Sequence, residues 1–397
     1  METAFTPGLL TTALVAWLIS SVLSARVVSK TSAVILAGIR AAVPLVYFSV
    51  FWDGSWTFLD DFRYISHGQA LLEQGYTPVS VLLDPDGFSH LRALAGGSHF
   101  LYSWWNLTAM YFFGPHYYSP VFMNILLTFV AGLLLEGILK HGNFAPSYRK
   151  AFFVFFMLHW DVVAWSSFIN LKDILVMTLT AGSLFLLISL QVRFSLPKVL
   201  GLYGCVFLLL WIRYYVPVIL LSTAVVWALF HRTARLRLLV TLTLPILPIL
   251  LLLDFGSRID SEISALIYTE EFSFNLIRFA LSPQPWSIDP SYSYLVLPSI
   301  LHWILVIPAL LGSIHLWRTS PLSRFPLIYL AGTMLLYSLI PELQGPRHRL
   351  QLAFILAWMQ FDFLWSRLAA AAGLSPARAR GEPTRPAWDR PGVPTAR

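Results

Sequence analysis

Eleven stretches of mostly apolar residues recur along this chain, and they settle the solvent in which it folds. They lie near 7–24, 33–52, 119–139, 151–168, 174–191, 199–212, 215–230, 238–253, 295–316, 325–341 and 350–366. About 20 apolar residues in a helix cross the hydrocarbon layer of a bilayer. Only helices and closed barrels satisfy every backbone N–H and C=O there without water. The expected fold class is therefore an all-α polytopic membrane protein with about 11 transmembrane helices. The stretches 199–212 and 215–230 are one apolar region broken by Arg213 and Pro217, and a single kinked helix there would invert every later span. Composition agrees: 57% of the 397 residues are hydrophobic and 12% are charged, about half the charged fraction of soluble domains. A soluble chain of this length splits into several domains and could not hide so much apolar surface in one core. The single cysteine, Cys205, excludes an internal disulfide.

The basic residues set an orientation. No basic residue precedes the first span, and Arg26 and Lys30 follow it. That is the reverse of a secretory leader, so the first span reads as a retained helix with its N-terminus outside. Alternating from there, 19 of the 27 basic residues fall inside, counting Arg40, which is expected to snorkel from the second span. Of the 20 acidic residues, 16 fall outside or in the outer half of a span. The net charge of +7 then reflects topology and anionic lipid, and no basic patch interleaved with exposed aromatics argues for nucleic acid. Two long loops, 53–120 and 254–294, face outside and form the active-site side of a transmembrane domain over 1–370. In the first loop, Phe62, Ile65, Leu71 and Leu72 recur near helical spacing within 60–75, which predicts an amphipathic helix lying in the interface. Segment 259–281 is similar. The tail 371–397, rich in Pro, Arg and Ala, is expected to be disordered, basic and cytoplasmic. No internal repeat marks the inverted halves of many transporters.

Charged residues on the outer side are the candidates for chemistry. Asp60-Asp61-Phe62-Arg63-Tyr64 follows the second span. Two adjacent carboxylates at a membrane surface can supply a general base and a partner that orients it, or hold a divalent cation such as Mg or Mn. The N-terminus of an interfacial helix would carry the same pair for its dipole. Asn170-Leu171-Lys172-Asp173 fills a tight turn between two spans, where Asp173 also suits a plain helix cap. Gly345-Pro346-Arg347-His348-Arg349 precedes the last span and breaks the charge bias. Two guanidinium groups suit a phosphate, with anchoring at the interface as the alternative. Arg213 adds another outer cation. His90 and His99 have no metal-ligand spacing around them. Asp84-Pro85-Asp86-Gly87 reads as a turn, Tyr117-Tyr118 as an interface belt, and Asp161 as an intramembrane acid. Carboxylates and cations on one lipid-adjacent face suit one reaction in particular. An acceptor hydroxyl loses its proton to a carboxylate, attacks an anomeric carbon and expels a phosphate, whose charge needs cations more than a strong acid.

The ordered series of these motifs resembles the integral-membrane glycosyltransferases of the GT-C fold. Within them it is similar to the branch of the protein O-mannosyltransferases and the lipid A aminoarabinose transferase. That branch carries Asp-Glu, often with Arg-Tyr shortly after, in its first outer loop; Asp60-Asp61-Phe62-Arg63-Tyr64 is similar, with Asp in place of Glu. Leu171-Lys172-Asp173-Ile174 resembles its second aspartate at the head of a later span. Phe113-Gly114 followed by Asn124 resembles its Phe-Gly and Asn, and Arg347-His348-Arg349-Leu350 its Arg-Tyr-Arg-Leu. The resemblance covers roughly 55–365. It departs in having two spans before the acid pair where the family usually has one. Gly97-Ser98-His99-Phe100 stands where the family often has a Lys-Pro-Pro element that binds donor phosphate. The resemblance implies a GT-C-like, inverting transferase that moves a sugar from a polyprenyl-phosphate donor to a glycan, lipid or protein acceptor. The site would lie on the extracytoplasmic face of a bacterial inner membrane. It implies Asp60 as the catalytic base, with Asp61 and Asp173 orienting it or the acceptor. Arg63, Tyr64, His99, Lys172, Arg213, Arg347, His348 and Arg349 would then bind substrate. The alternatives are a polysaccharide polymerase or ligase taking a lipid-linked oligosaccharide, and a transporter or flippase.

Overall fold

The computed structural model describes residues 6–52, 54, 60–96, 99–230, 272–339 and 345–372. The expected span at 238–253, residues 254–271 of the second long loop and the tail beyond Ala372 lie outside the described residues. Among the described residues every regular element is helical. Helix α1 (Pro7–Ser24) starts behind Thr6, whose hydroxyl accepts the Leu9 amide, and packs on α2 (Lys30–Val46). Pro44 withholds a helical N–H near the end of α2, and the chain leaves it through a π-helical turn, Tyr47–Phe51. Four shorter helices follow: α3 (Asp60–Glu73), α4 (Ser80–Leu83), α5 (Pro85–Leu94) and α6 (Phe100–Phe113). Next come α7 (Tyr118–His141), α8 (Pro146–Met157), α9 (Trp160–Ser167), α10 (Asp173–Val192), α11 (Leu196–Leu210) and α12 (Tyr215–Phe230). The remaining elements are α13 (Phe272–Leu281), α14 (Val296–Thr319), α15 (Arg324–Leu339), α16 (Pro346–Leu350) and α17 (Ala353–Ala371).

Six of the described helices are long and apolar enough to cross a membrane: Pro7–Ser24, Lys30–Phe51, Tyr118–His141, Asp173–Val192, Tyr292–Thr319 and Pro321–Leu339. Side chains such as Leu18, Val22, Ile35, Ile304 and Ile307 stand exposed on these helices, a surface that lipid rather than water covers. The protein is thus all-α and membrane-embedded. Two readings of the sequence change in detail, at 151–168 and at Arg40. The apolar stretch 151–168 is not one helix but two, α8 and α9, parted at Leu158–His159, and each is too short to cross alone. The stretch 199–230 is two helices as expected, α11 and α12, separated by a turn at Trp211–Tyr214, and not the single kinked helix of the alternative. Arg40 does not snorkel. It is fully buried and donates to Ser166 Oγ (2.6 Å), Ser167 Oγ (3.2 Å) and Thr128 Oγ1 (3.4 Å). Its position on α2 faces α7 and the last turn of α9, which supply hydroxyls and the negative end of a helix dipole.

The core lies where α7, α8 and α17 meet, filled by Phe122, Phe129, Phe152, Phe153, Phe156 and Tyr148. Helices α14 and α17 touch backbone to backbone: a Cβ at Gly312 would overlap the Met359 carbonyl. At one end of the bundle the starts of α3, α7, α10 and α16 come together, and the site forms there.

Candidate functional site

Helix α3 opens on Asp60 and Asp61, acids suited to the positive end of its dipole. Residues at i, i+3, i+4 and i+7 share one helix face. On α3 these are Asp60, Arg63, Tyr64 and His67, and all four line a cavity of about 360 Å³ together with Ala95, Gly96, His99, Lys172 and Arg347. The other face is buried through Asp61, Ile65 and Leu71. Gly68 allows the close approach of α3 to α6, since a Cβ there would stand 3.1 Å from the backbone of Asn106 and Leu107.

Inside the cavity, Arg347 Nη1 donates to Asp60 Oδ2 at 3.0 Å, across 287 residues of sequence. Lys172 Nζ donates to the Tyr64 hydroxyl at 3.1 Å and lies 5.7 Å from the centre of its ring. Burial, and then the Arg213 charge, push the Lys172 ammonium down to about 7. Burial and the negative charge of Asp60 raise the Tyr64 phenol, so it stays protonated. His99 takes a left-handed backbone (φ 67°) at the head of α6, and its Nδ1 meets the Ile212 carbonyl at 2.7 Å. Only a protonated Nδ1 can make that bond, so Nε2 is the ring's acceptor. Burial and the Lys172 charge push the His99 imidazole down to about 3, so it is neutral at neutral pH. His67 is lowered too, by burial and then by Arg63, and its Nδ1 lies 3.0 Å from Ser103 Oγ. The wall therefore holds one carboxylate against Arg63, Arg347 and Lys172, an excess of positive charge that suits an anion.

Asp61 turns away from the cavity. Its Oδ1 accepts the Phe62 amide at 2.9 Å and its Oδ2 accepts the Tyr117 hydroxyl at 2.6 Å. Tyr117, expected in an interface belt, is instead buried in this network. Asn170 extends it. Its Nδ2 donates to Asn106 Oδ1 (2.7 Å) and to the Asp61 carbonyl (3.4 Å), and its Oδ1 accepts from Tyr102 (2.6 Å). Asn124 Nδ2 donates in turn to the Tyr102 hydroxyl at 3.0 Å. The network pins the start of α3 to α6, α7 and the non-helical strip 168–172. Asp60 lines the cavity, while both Asp61 oxygens accept protein donors. Among the described residues no group of three or more His, Cys, Asp or Glu is placed to hold a metal ion.

Asp173 and Arg213 lie behind the cavity rather than in its wall. Arg213 Nη2 meets Asp173 Oδ1 at 2.7 Å, with side chains 3% and 1% exposed, and Gln351 Nε2 donates to the same oxygen at 3.1 Å. The Arg347-His348-Arg349 stretch forms α16, and successive helical residues point about 100° apart. Only Arg347 reaches the cavity. His348 is buried, and burial with the Arg213 charge pushes its imidazole down to about 3. Arg349 pairs with Asp161 at 3.6 Å and donates to the Ser282 carbonyl. Of the residues singled out from sequence, Asp60, Arg63, Tyr64, His99, Lys172 and Arg347 meet in one cavity, while Asp61, Asp173, Arg213, His348 and Arg349 brace it from behind. His67 was missed, although its i+7 spacing from Asp60 was readable. Tyr117, Tyr102 and Gln351 carry no local signal at all. Comparison with protein-family models, curated proteins and solved structures returns no match.

Proposed function

We propose that the chain is a membrane glycosyltransferase that moves a sugar from a polyprenyl-phosphate donor to an acceptor hydroxyl with inversion. One observation carries this: a lone carboxylate, Asp60, shares a small cavity with Arg63, Lys172 and Arg347 at one end of a membrane-embedded bundle. In the reaction, Asp60 takes the proton of the acceptor hydroxyl. The acceptor oxygen attacks the anomeric carbon from the face opposite the phosphate, and the bond from that carbon to the phosphate oxygen breaks. The leaving phosphate keeps the electron pair, and the three cations stabilise it, the step for which preorganised charge is worth most. His99 Nε2 is placed to accept a hydroxyl of a bound sugar or acceptor. On this reading the cavity end faces outside and the tail lies in the cytoplasm. The chain crosses the bilayer about eleven times.

A second cavity, of about 990 Å³, is lined almost wholly by apolar side chains of α12, α14, α15 and α17. Ala280 and His302 stand in its wall, and Arg349 holds the nearby Ser282 carbonyl. Its size and lining suit a lipid chain. The test uses membranes carrying the protein, a set of polyprenyl-phosphate sugars, and the variant Asp60→Asn. The amide keeps the shape and cannot take a proton, so transfer falls by roughly 100- to 10,000-fold, the usual worth of a general base. Full transfer by Asp60→Asn ends the assignment. Transfer of an oligosaccharide block in place of a single sugar identifies a polymerase or ligase instead.

A further inference from the structure

One oxygen of the proposed base is already engaged in the structure, since Arg347 Nη1 donates to Asp60 Oδ2 at 3.0 Å. Both side chains are partly open to the cavity, 38% for Asp60 and 25% for Arg347, so the pair can exchange partners. Arg63 and Lys172 line the same cavity and make no ion pair within 4 Å among the described residues. An incoming phosphate therefore meets Arg63 and Lys172, neither paired with a carboxylate, though Lys172 donates to the Tyr64 hydroxyl, and one cation committed to the base. Its diester anion matches a carboxylate in charge and accepts a guanidinium bidentately through two free oxygens, and its charge rises as the bond to the sugar breaks. Resting on the transferase reading above, we propose that donor binding unmasks the base: the donor phosphate draws Arg347 off Asp60 and so arms Asp60 for the acceptor.

The exchange sets an order. With Arg347 in place, Asp60 Oδ2 already accepts a guanidinium N–H, and an acceptor hydroxyl has to compete for that oxygen. Once the guanidinium moves to the phosphate, Asp60 accepts the proton of the acceptor hydroxyl as the new glycosidic bond forms and the bond to phosphate breaks. Arg347 is then already on the oxygen that gathers the leaving charge. An acceptor or a water that arrives before the donor meets a masked base. Donor before acceptor is thus built into the pair.

The test measures binding of geranyl phosphate, a short prenyl phosphate without a sugar, to the purified full-length protein in detergent. Four forms are compared: the parent, Asp60→Asn, Arg347→Gln and the double variant. Removing Asp60 takes away the competitor for Arg347, so Asp60→Asn binds geranyl phosphate roughly fivefold tighter than the parent, the worth of a partly exposed ion pair. Arg347→Gln binds it more weakly. The gain from Asp60→Asn shrinks markedly when Arg347 is already Gln, because the competition is gone. An equal gain in both backgrounds, or no gain in either, overturns the proposal. If Asp60→Asn elutes as misfolded protein, Asp60→Ser serves in the same cycle. Binding needs no turnover, so a failure to transfer any sugar would sink the enzyme reading while leaving this coupling measurable.

Discussion

The buried pair of Asp173 and Arg213 makes the sharpest quantitative claim about what holds the site. Both side chains are almost fully buried, and Asp173 Oδ1 takes Arg213 at 2.7 Å and Gln351 at 3.1 Å. Asp173→Ala leaves a guanidinium facing no carboxylate and an amide facing no acceptor. Breaking one side of a buried pair costs about 3–5 kcal/mol, and the orphaned amide adds about 1 kcal/mol. At roughly 2 °C per kcal/mol for a chain of this length, the loss is on the order of 10 °C in melting temperature. Replacing both partners by apolar side chains removes the uncompensated charge. The double variant Asp173→Leu, Arg213→Met is therefore expected to recover most of the loss. Scanning fluorimetry on the intrinsic tryptophans, in one detergent at one protein concentration, reads all forms. The reasoning fails if the single variants each lose less than about 2 °C, or if the double variant is as unstable as the sum of the two. A stable double variant without transfer would move the pair from scaffold to chemistry.

Three further outcomes are expected. Lys172, held at about 7 in the folded protein, is charged below that pH and neutral above it. Geranyl phosphate affinity therefore falls as pH rises through about 7 in the free protein, and Lys172→Arg, which stays charged throughout, removes that limb; an unchanged profile in Lys172→Arg would show that another group sets it. Gly312→Leu forces α14 away from the Met359 carbonyl and costs at least about 1–3 kcal/mol, read as a lower melting temperature; a neutral effect would mean the two helices do not touch as described. In a Cys205→Ser background, Asp86→Cys and Arg193→Cys sit on exposed positions near opposite ends of the bundle. An impermeant maleimide labels the first in intact cells and the second only after permeabilisation; the reverse pattern turns the site to the cytoplasm.

The apolar runs made most of the fold legible, because in lipid length and hydrophobicity nearly determine a helix. They could not reveal the break between α8 and α9, since Phe155 to Trp165 reads as one apolar run and the interruption at His159 is a tertiary choice, fixed by its 2.9 Å contact with Gln360. Arg40 was misplaced for a related reason. Loop-charge counting assumes that a basic residue near a span end seeks water, whereas this one finds Ser166, Ser167 and Thr128 from distant segments. In the site, the expected helix over 60–75 carries Asp60, Arg63 and Tyr64 on one face by its spacing alone. What was not legible is which acid faces the cavity. Asp60 and Asp61 look equivalent in sequence, and Tyr117, 56 residues away, is what turns Asp61 inward. The same holds for Arg347 and Arg349, separated by a rotation that only the packing of α16 fixes.

The most direct check of the central claim is an experimental structure of the full-length protein with a polyprenyl phosphate bound. The phosphorus is expected among Arg63, Lys172 and Arg347, with Arg347 moved off Asp60 and the lipid chain leaving toward the bilayer. A phosphate found away from those three cations would contradict the account.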